Sequence, residues 1–204
     1  MSSERTPYGL CFFLGLGGLV AGATGPLLSN FVPLLVEDTL GDNRTGIGFV
    51  MAIDNGLLLL VPWAGVVSDR ASAHGQGRLP IVVSGLLLAA AGTALLPTSA
   101  RFGIGGLIVA IVVLHTGLNV QRSPFQALVA DLVPSRHRSL ATASVTFQMC
   151  VGAILFLMLG NILGMAPAFY FAATAVFGVA VAYAARLRKP AVSASSAGTE
   201  RCFS

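Results

Sequence analysis

His115, Asn119, Arg122 and Gln126 interrupt one long apolar stretch at spacings of four, three and four. Residues three or four apart share one face of a helix. A stripe of hydrogen-bonding groups inside an apolar helix is costly against hydrocarbon, so its chemistry points to a polar ligand or to partners inside a bundle. Sugar hydroxyls need several matched partners of this kind, and a guanidinium fork can hold two oxygens at once. Two plainer readings stand beside this one. Arg122 lies late in its stretch and could extend its head to the membrane surface. His115 could be a core histidine satisfied by its neighbours.

A second polar feature is Asp54, followed by Asn55, in the middle of another apolar stretch. An ionised carboxylate at that depth costs several kcal/mol unless it is paired or hydrated, so such residues usually line a cavity. A carboxyl group removed from water holds its proton to higher pH, which is what a proton-coupling site requires. The plainer reading is a protonated, inert hydrogen-bonding group. On the functional reading, Asp54, Asn55, His115, Asn119 and Arg122 share one polar cavity. Asp54 serves ion coupling, and Asn55, His115, Asn119, Arg122 and Gln126 serve substrate binding.

The elements that must position these residues are membrane helices. Hydrophobic residues make up 55% of the chain, charged residues only 10%, and mean hydropathy is +0.83. Soluble domains carry about 25% charged residues, so lipid must cover most of this surface. The net charge of +4 fits arginines facing anionic lipid. No basic run interleaved with aromatics points to nucleic acid. Cys11, Cys150 and Cys202 are far apart, so neither a disulfide framework nor a metal site is expected.

A spanning helix needs about 20 apolar residues. Six segments qualify, at about 8–36, 46–67, 79–96, 102–130, 140–163 and 167–185. Arg5 and Ala21-Gly22-Ala23 imitate a signal peptide, but the uncharged run after them is too long for one. Gly15, Gly18, Gly22 and Gly25 suit close helix packing in segment 1. Pro26, Pro33 and Pro62 are expected to bend segments 1 and 2. The expected organisation is one membrane domain, 1–189, and a disordered Ser/Ala-rich tail, 190–204. Arg5, Arg70, Arg78, Arg136, Arg138, Arg186, Arg188 and Lys189 fall on one side of the membrane, against Arg44 and Arg101 on the other. That bias places both termini in the cytoplasm.

Between segments 2 and 3 the chain reads Gly65-Val66-Val67-Ser68-Asp69-Arg70, then Gly75-Gln76-Gly77-Arg78. This resembles the cytoplasmic signature of the major facilitator superfamily. The stretches Asn30-Phe31-Val32-Pro33, Gly46 to Asn55, and Arg122-Ser123-Pro124-Phe125-Gln126-Ala127-Leu128-Val129-Ala130-Asp131 with Pro134 and Arg138-Ser139 look like bacterial sucrose-transporter-like carriers. These are relatives of the glycoside–pentoside–hexuronide cation symporters. The resemblance covers about residues 30–160. It implies an all-α carrier fold, a sugar substrate moved with a proton or sodium ion, and a gating cluster of Asp69, Arg70, Arg78, Asp131 and Arg138.

The chain departs from the pattern at three points. One arginine, Arg78, stands where the loop signature has two. Gln126 stands where plant sucrose carriers have an arginine, and Arg122 lies one turn earlier on the same face. The family has about twelve helices, and this chain has six segments. The expected fold is therefore an all-α six-helix bundle, one half of a major facilitator fold built as a 3+3 inverted repeat.

An intramembrane protease would need Gly-x-Ser-Gly, and Val82-Val83-Ser84-Gly85 lacks it. Enzymatic function is not expected, and neither is a cofactor. The expected function is secondary transport of a small polar solute, a sugar with H+ or Na+, across the plasma membrane. A second six-helix half or a second copy would complete the path. The alternative is a truncated, non-transporting membrane protein or an assembly partner of such a half.

Overall fold

In hydrocarbon a spanning segment must satisfy its backbone N–H and C=O groups internally, which favours helices. The computed structural model describes residues 8–41, 44–75 and 77–187, without the side chains at positions 27, 39, 40, 44, 46, 47, 50, 51, 54 and 100. The described residues form eight α-helices and no strand. They are α1 (Tyr8–Pro26), α2 (Val32–Leu40), α3 (Arg44–Leu57), α4 (Leu60–Ala73), α5 (Leu79–Ser99), α6 (Gly103–Leu132), α7 (Arg138–Leu163) and α8 (Met165–Leu187). Five stretches are helical, long and apolar enough to cross a membrane: Tyr8–Asp38, Leu79–Ser99, Gly103–Leu132, Ser135–Leu163 and Met165–Leu187. The proposed tail, 190–204, lies outside the described residues.

Segment 2 is not one continuous helix over 46–67. It consists of α3 and α4, each of 14 residues, parted at Leu58–Leu59. Pro62 explains the position of the break. Its nitrogen has no hydrogen for the Leu58 carbonyl four residues earlier, and its ring crowds that carbonyl. The backbone tightens instead. The amides of Leu58, Leu59 and Val61 reach the carbonyls of Asn55, Gly56 and Leu58 at 3.3, 3.3 and 3.1 Å. Neither piece is among the five membrane-length stretches.

Segment 1 is interrupted in the opposite sense. Between α1 and α2 the helix widens to a π-turn over Leu27–Phe31. Pro33 cannot bond the Ser29 carbonyl, and Pro26 cannot bond that of Gly22, so the ladder loses two rungs around this turn. The Asn30 side chain reaches back and donates to the Pro26 carbonyl at 2.9 Å.

Two tight helix pairs dominate the packing: α1 on α7, and α5 on α6, with α8 covering α5. Glycines permit the first. A Cβ on Gly18 would overlap the Val145 carbonyl, one on Gly22 the Met149 carbonyl, and one on Gly152 the Leu19 carbonyl. Gly15 is filled by Gln148, whose Nε2 donates to the Phe12 carbonyl at 2.8 Å. A Cβ on Gly25 would meet nothing within 4 Å, so this glycine lies beyond the close α1–α7 contact and lines the cavity instead. Gly85, Gly92 and Gly117 play the same packing role between α5 and α6. Small residues at helix contacts let backbones approach, which is how membrane helices gain packing without a hydrophobic drive between them. Val82, Leu86, Leu107, Ile111, Leu114, Phe169 and Val176 fill the core between α5, α6 and α8.

Candidate functional site

α6 is 30 residues long, roughly 45 Å at 1.5 Å per residue. That exceeds the hydrocarbon thickness of about 30 Å, so its ends reach the interfaces and its middle is deep. From Asp131, near its end, Arg122 lies about 14 Å and Asn119 about 18 Å inward along the axis. His115 lies deeper still. With α6 centred across such a layer, the polar stripe falls inside it.

A cavity of about 570 Å³ opens beside this stripe, lined mainly by α1, α6 and α7. Pockets for small ligands run to about 300–1,000 Å³. His115, Asn119, Arg122 and Gln126 all line it. Asn119 is 5% exposed and His115 8%, whereas Arg122 and Gln126 are exposed. The opposite wall comes from α1 and the π-turn that follows it, where Gly17, Gly18 and Gly25 leave room and Thr24 and Ser29 add hydroxyls. The Thr24 hydroxyl is engaged with the Val20 carbonyl of its own helix at 3.0 Å. The break between α3 and α4 brings Leu58 to the same cavity.

Asn119 Nδ2 is buried and has no hydrogen-bond partner. An amide donor left so is unfavourable by about 1–3 kcal/mol, and since Asn119 lines the cavity, a turn of its amide would bring this N–H₂ to a ligand oxygen.

Segment 2 contributes less than expected. Asn55 is exposed on α3 and is not one of the lining residues. The side chain of Asp54 lies outside the described residues.

Phe125 forms one end of the cavity and stacks on Tyr183 of α8, with ring centres 6.2 Å apart and planes 11° apart. Phe13 meets the same tyrosine edge-on at 5.3 Å, and the Arg186 guanidinium lies 5.5 Å above the Phe13 ring. Through Phe125 and Arg186 this aromatic cluster touches both the cavity and a basic residue in the last turn of α8.

At that end, Arg78 holds two carboxylates from two helices. Its Nη1 lies 2.7 Å from Asp69 Oδ1 at the end of α4, and its Nε 2.9 Å from Asp131 Oδ2 at the end of α6. The Arg78 side chain is 19% exposed, the carboxylates 65% and 53%. The second contact is an ion pair without hydrogen-bond alignment, since Nε has no hydrogen-bond partner. The sequence suggests Arg136 or Arg138 as neighbours of Asp131. The structure gives Asp131 to Arg78 and turns Arg138 onto the Ala130 carbonyl at 3.0 Å. A cation there satisfies a helix's terminal carbonyls and its dipole. Arg70 is exposed, and its carbonyl accepts from the His74 amide at 3.1 Å. Gly65 has its own reason: a Cβ there would come within 2.8 Å of Ser123 Oγ on α6.

Sequence reasoning passes over Gln121, Thr24 and Ser29, which also line the cavity. Gln121 sits off the stripe's strict spacing, and isolated hydroxyls in an apolar helix most often bond their own backbone. A protein-family model described as Major Facilitator Superfamily matches residues 13–201.

Proposed function

The chain belongs to the major facilitator superfamily, and from that premise we propose that it moves a small polar solute through the α1–α6–α7 cavity. It is a membrane protein of a transporter family, with the all-helical architecture of half a major facilitator fold. The observation that carries the reading is the convergence of His115, Asn119, Arg122 and Gln126 on one cavity within the apolar layer. Lipid gives such groups nothing to bond, and a hydrated solute can exchange its water shell for them.

The solute in this proposal is sugar-like and is coupled to a proton or sodium ion, with Asp54 as the coupling group. Asn55 lies at the solute's periphery. Asp69, Arg70, Arg78, Asp131 and Arg138 act as the gate at the arginine-rich end, which faces the cytoplasm with both termini. The host bilayer is the cell membrane. Arg122 and Gln126 are exposed at a depth where lipid would meet them, which favours a second six-helix unit, another half or another copy, as the cavity's remaining wall. The same exposure supports a second reading, in which the chain serves only as the assembly partner of such a half.

The test is uptake into proteoliposomes under an imposed proton or sodium gradient, with labelled sugars and related solutes. Gradient-driven accumulation that Asn119→Leu removes is the expected result. A properly inserted protein that accumulates nothing in any pairing overturns the transport reading and leaves the assembly role.

A further inference from the structure

We propose that the cavity takes a solute bearing a carboxylate or an equivalent anionic oxygen, in preference to its neutral counterpart. This deepens the transport reading and rests on it.

The argument starts from which hydrogen-bonding roles the cavity offers. Arg122 is a permanent cation with five N–H donors and no acceptor. It lies on the cavity wall in the apolar layer, and among the described side chains no carboxylate lines that wall with it. The acids paired in this region are at the bundle's end, where Asp69 and Asp131 are both committed to Arg78. One helical turn from Arg122, Asn119 Nδ2 is a second donor, buried and without a partner. The wall therefore holds a guanidinium with a buried amide N–H₂ one turn away, and both lack an acceptor that the described wall supplies.

Arg122 and Asn119 are three residues apart on one helix, so their side chains are neighbours, about 5–6 Å apart at Cβ. That separation suits one planar group with two oxygens. One oxygen, or both, meets the guanidinium fork, and another oxygen of the same solute takes the Asn119 amide once that side chain turns into the cavity. Hydrogen bonds to a charged acceptor are shorter and roughly twice as strong as neutral ones. A neutral hydroxyl would satisfy the geometry but leave the guanidinium charge uncompensated in a medium of low dielectric. A cationic solute would add a like charge beside it. His115, Gln121 and Gln126 line the rest of the cavity. They offer amide and imidazole groups to a solute's remaining hydroxyls, so a hydroxy acid or sugar acid fits better than a bare carboxylate.

The experiment uses the full chain in lipid nanodiscs and three matched pairs: glucuronate with glucose, gluconate with sorbitol, and lactate with 1,2-propanediol. Choline serves as the cationic control. Binding is read by calorimetry and by thermal stabilisation. At least one anion should bind about tenfold or more tighter than its neutral partner, as expected of a charge-assisted contact. Choline should not bind. Arg122→Gln should abolish the preference between the members of that pair, and Asn119→Leu should weaken the anion. Arg122→Lys, which keeps the charge but loses the fork, should retain part of the preference.

A neutral member binding as tightly as its anion overturns the inference while leaving the transport reading intact. So does a preference that survives in Arg122→Gln. If no member of any pair binds, the inference also falls, and the uptake experiment above decides separately whether transport falls with it.

Discussion

The Tyr183 hydroxyl accepts the Gly17 amide hydrogen at 2.7 Å and donates to the Leu14 carbonyl at 2.8 Å, so a side chain of α8 enters the backbone of α1. Tyr183 is fully buried and packs between Phe13 and Phe125. Gly17 admits this contact because a Cβ there would press on both the Phe125 ring and the tyrosine oxygen. Through Phe125 the same tyrosine supports one end of the cavity. Tyr183→Phe keeps the ring stacking and removes both hydrogen bonds. The expected loss is about 1–3 kcal/mol, read as a lower melting temperature in detergent or nanodiscs. An unchanged melting temperature would show that the α1 backbone compensates locally and that the hydroxyl is dispensable.

The α1–α7 contact makes a sharper demand on shape. Gly18 and Gly22 lie against the Val145 and Met149 carbonyls, where even a methyl group would overlap backbone. Backbone cannot swing aside as a side chain can, so the helices must separate. Gly22→Leu is expected to destabilise by about 3 kcal/mol or more, the upper range for overpacking. Gly25→Ala, at a position with open space, is expected to be near neutral for stability. Comparing the two variants in one thermal-unfolding series checks this. Equal behaviour would contradict the close backbone contact assigned to Gly22.

How much of this was legible beforehand differs from residue to residue. Five of the six apolar segments coincide with helices long and apolar enough to cross a membrane, because the length of an apolar run is a one-dimensional property. The spacing of His115, Asn119, Arg122 and Gln126 placed them on one face, and all four do line the cavity. Pro62 announced a disturbance in segment 2, but not that two separate 14-residue helices would result. The partner of Asp131 was not readable, since Arg136 and Arg138 are nearer in sequence and Arg78 is nearer in space. Tyr183 gave no signal at all. A lone tyrosine in an apolar helix is identical in pattern to one at a lipid interface, and only the approach of α1 distinguishes them.

Arg78 bridges α4 and α6, so its removal should loosen that end more than it destabilises the fold. Both acids are more than half exposed, and exposed ion pairs contribute only about 0–1 kcal/mol each. Arg78→Gln is therefore expected to shift the melting temperature little. It should instead raise backbone hydrogen exchange at the ends of α4 and α6, where fewer contacts remain to hold the helix termini together. High salt should reproduce part of this effect in the unaltered protein by screening. If exchange at these ends is unchanged in Arg78→Gln, the two ion pairs do not restrain them, and the proposed gate loses its physical basis.

The last expectation concerns Asp54 and separates coupling from binding. Asp54 lies in α3, one turn before the break at Leu58–Leu59, and Leu58 reaches the cavity. A carboxyl group in that position can gain or lose a proton, or hold a sodium ion, as water enters from one side of the membrane and then the other. The solute contacts proposed on α6 are separate groups on a separate helix. Replacing the carboxyl by an amide keeps size and hydrogen bonding but removes titration and charge. Asp54→Asn is therefore expected to abolish gradient-driven accumulation in proteoliposomes, bringing internal and external solute to similar concentrations. Exchange of labelled for unlabelled solute across the same membrane needs no net ion movement, so part of it should survive. Arg122→Gln should behave differently, weakening exchange and accumulation together because it acts on the solute itself. Measuring both modes for both variants gives a clear decision. Undiminished accumulation in Asp54→Asn removes Asp54 from coupling, and loss of exchange equal to that of Arg122→Gln reassigns it to solute binding.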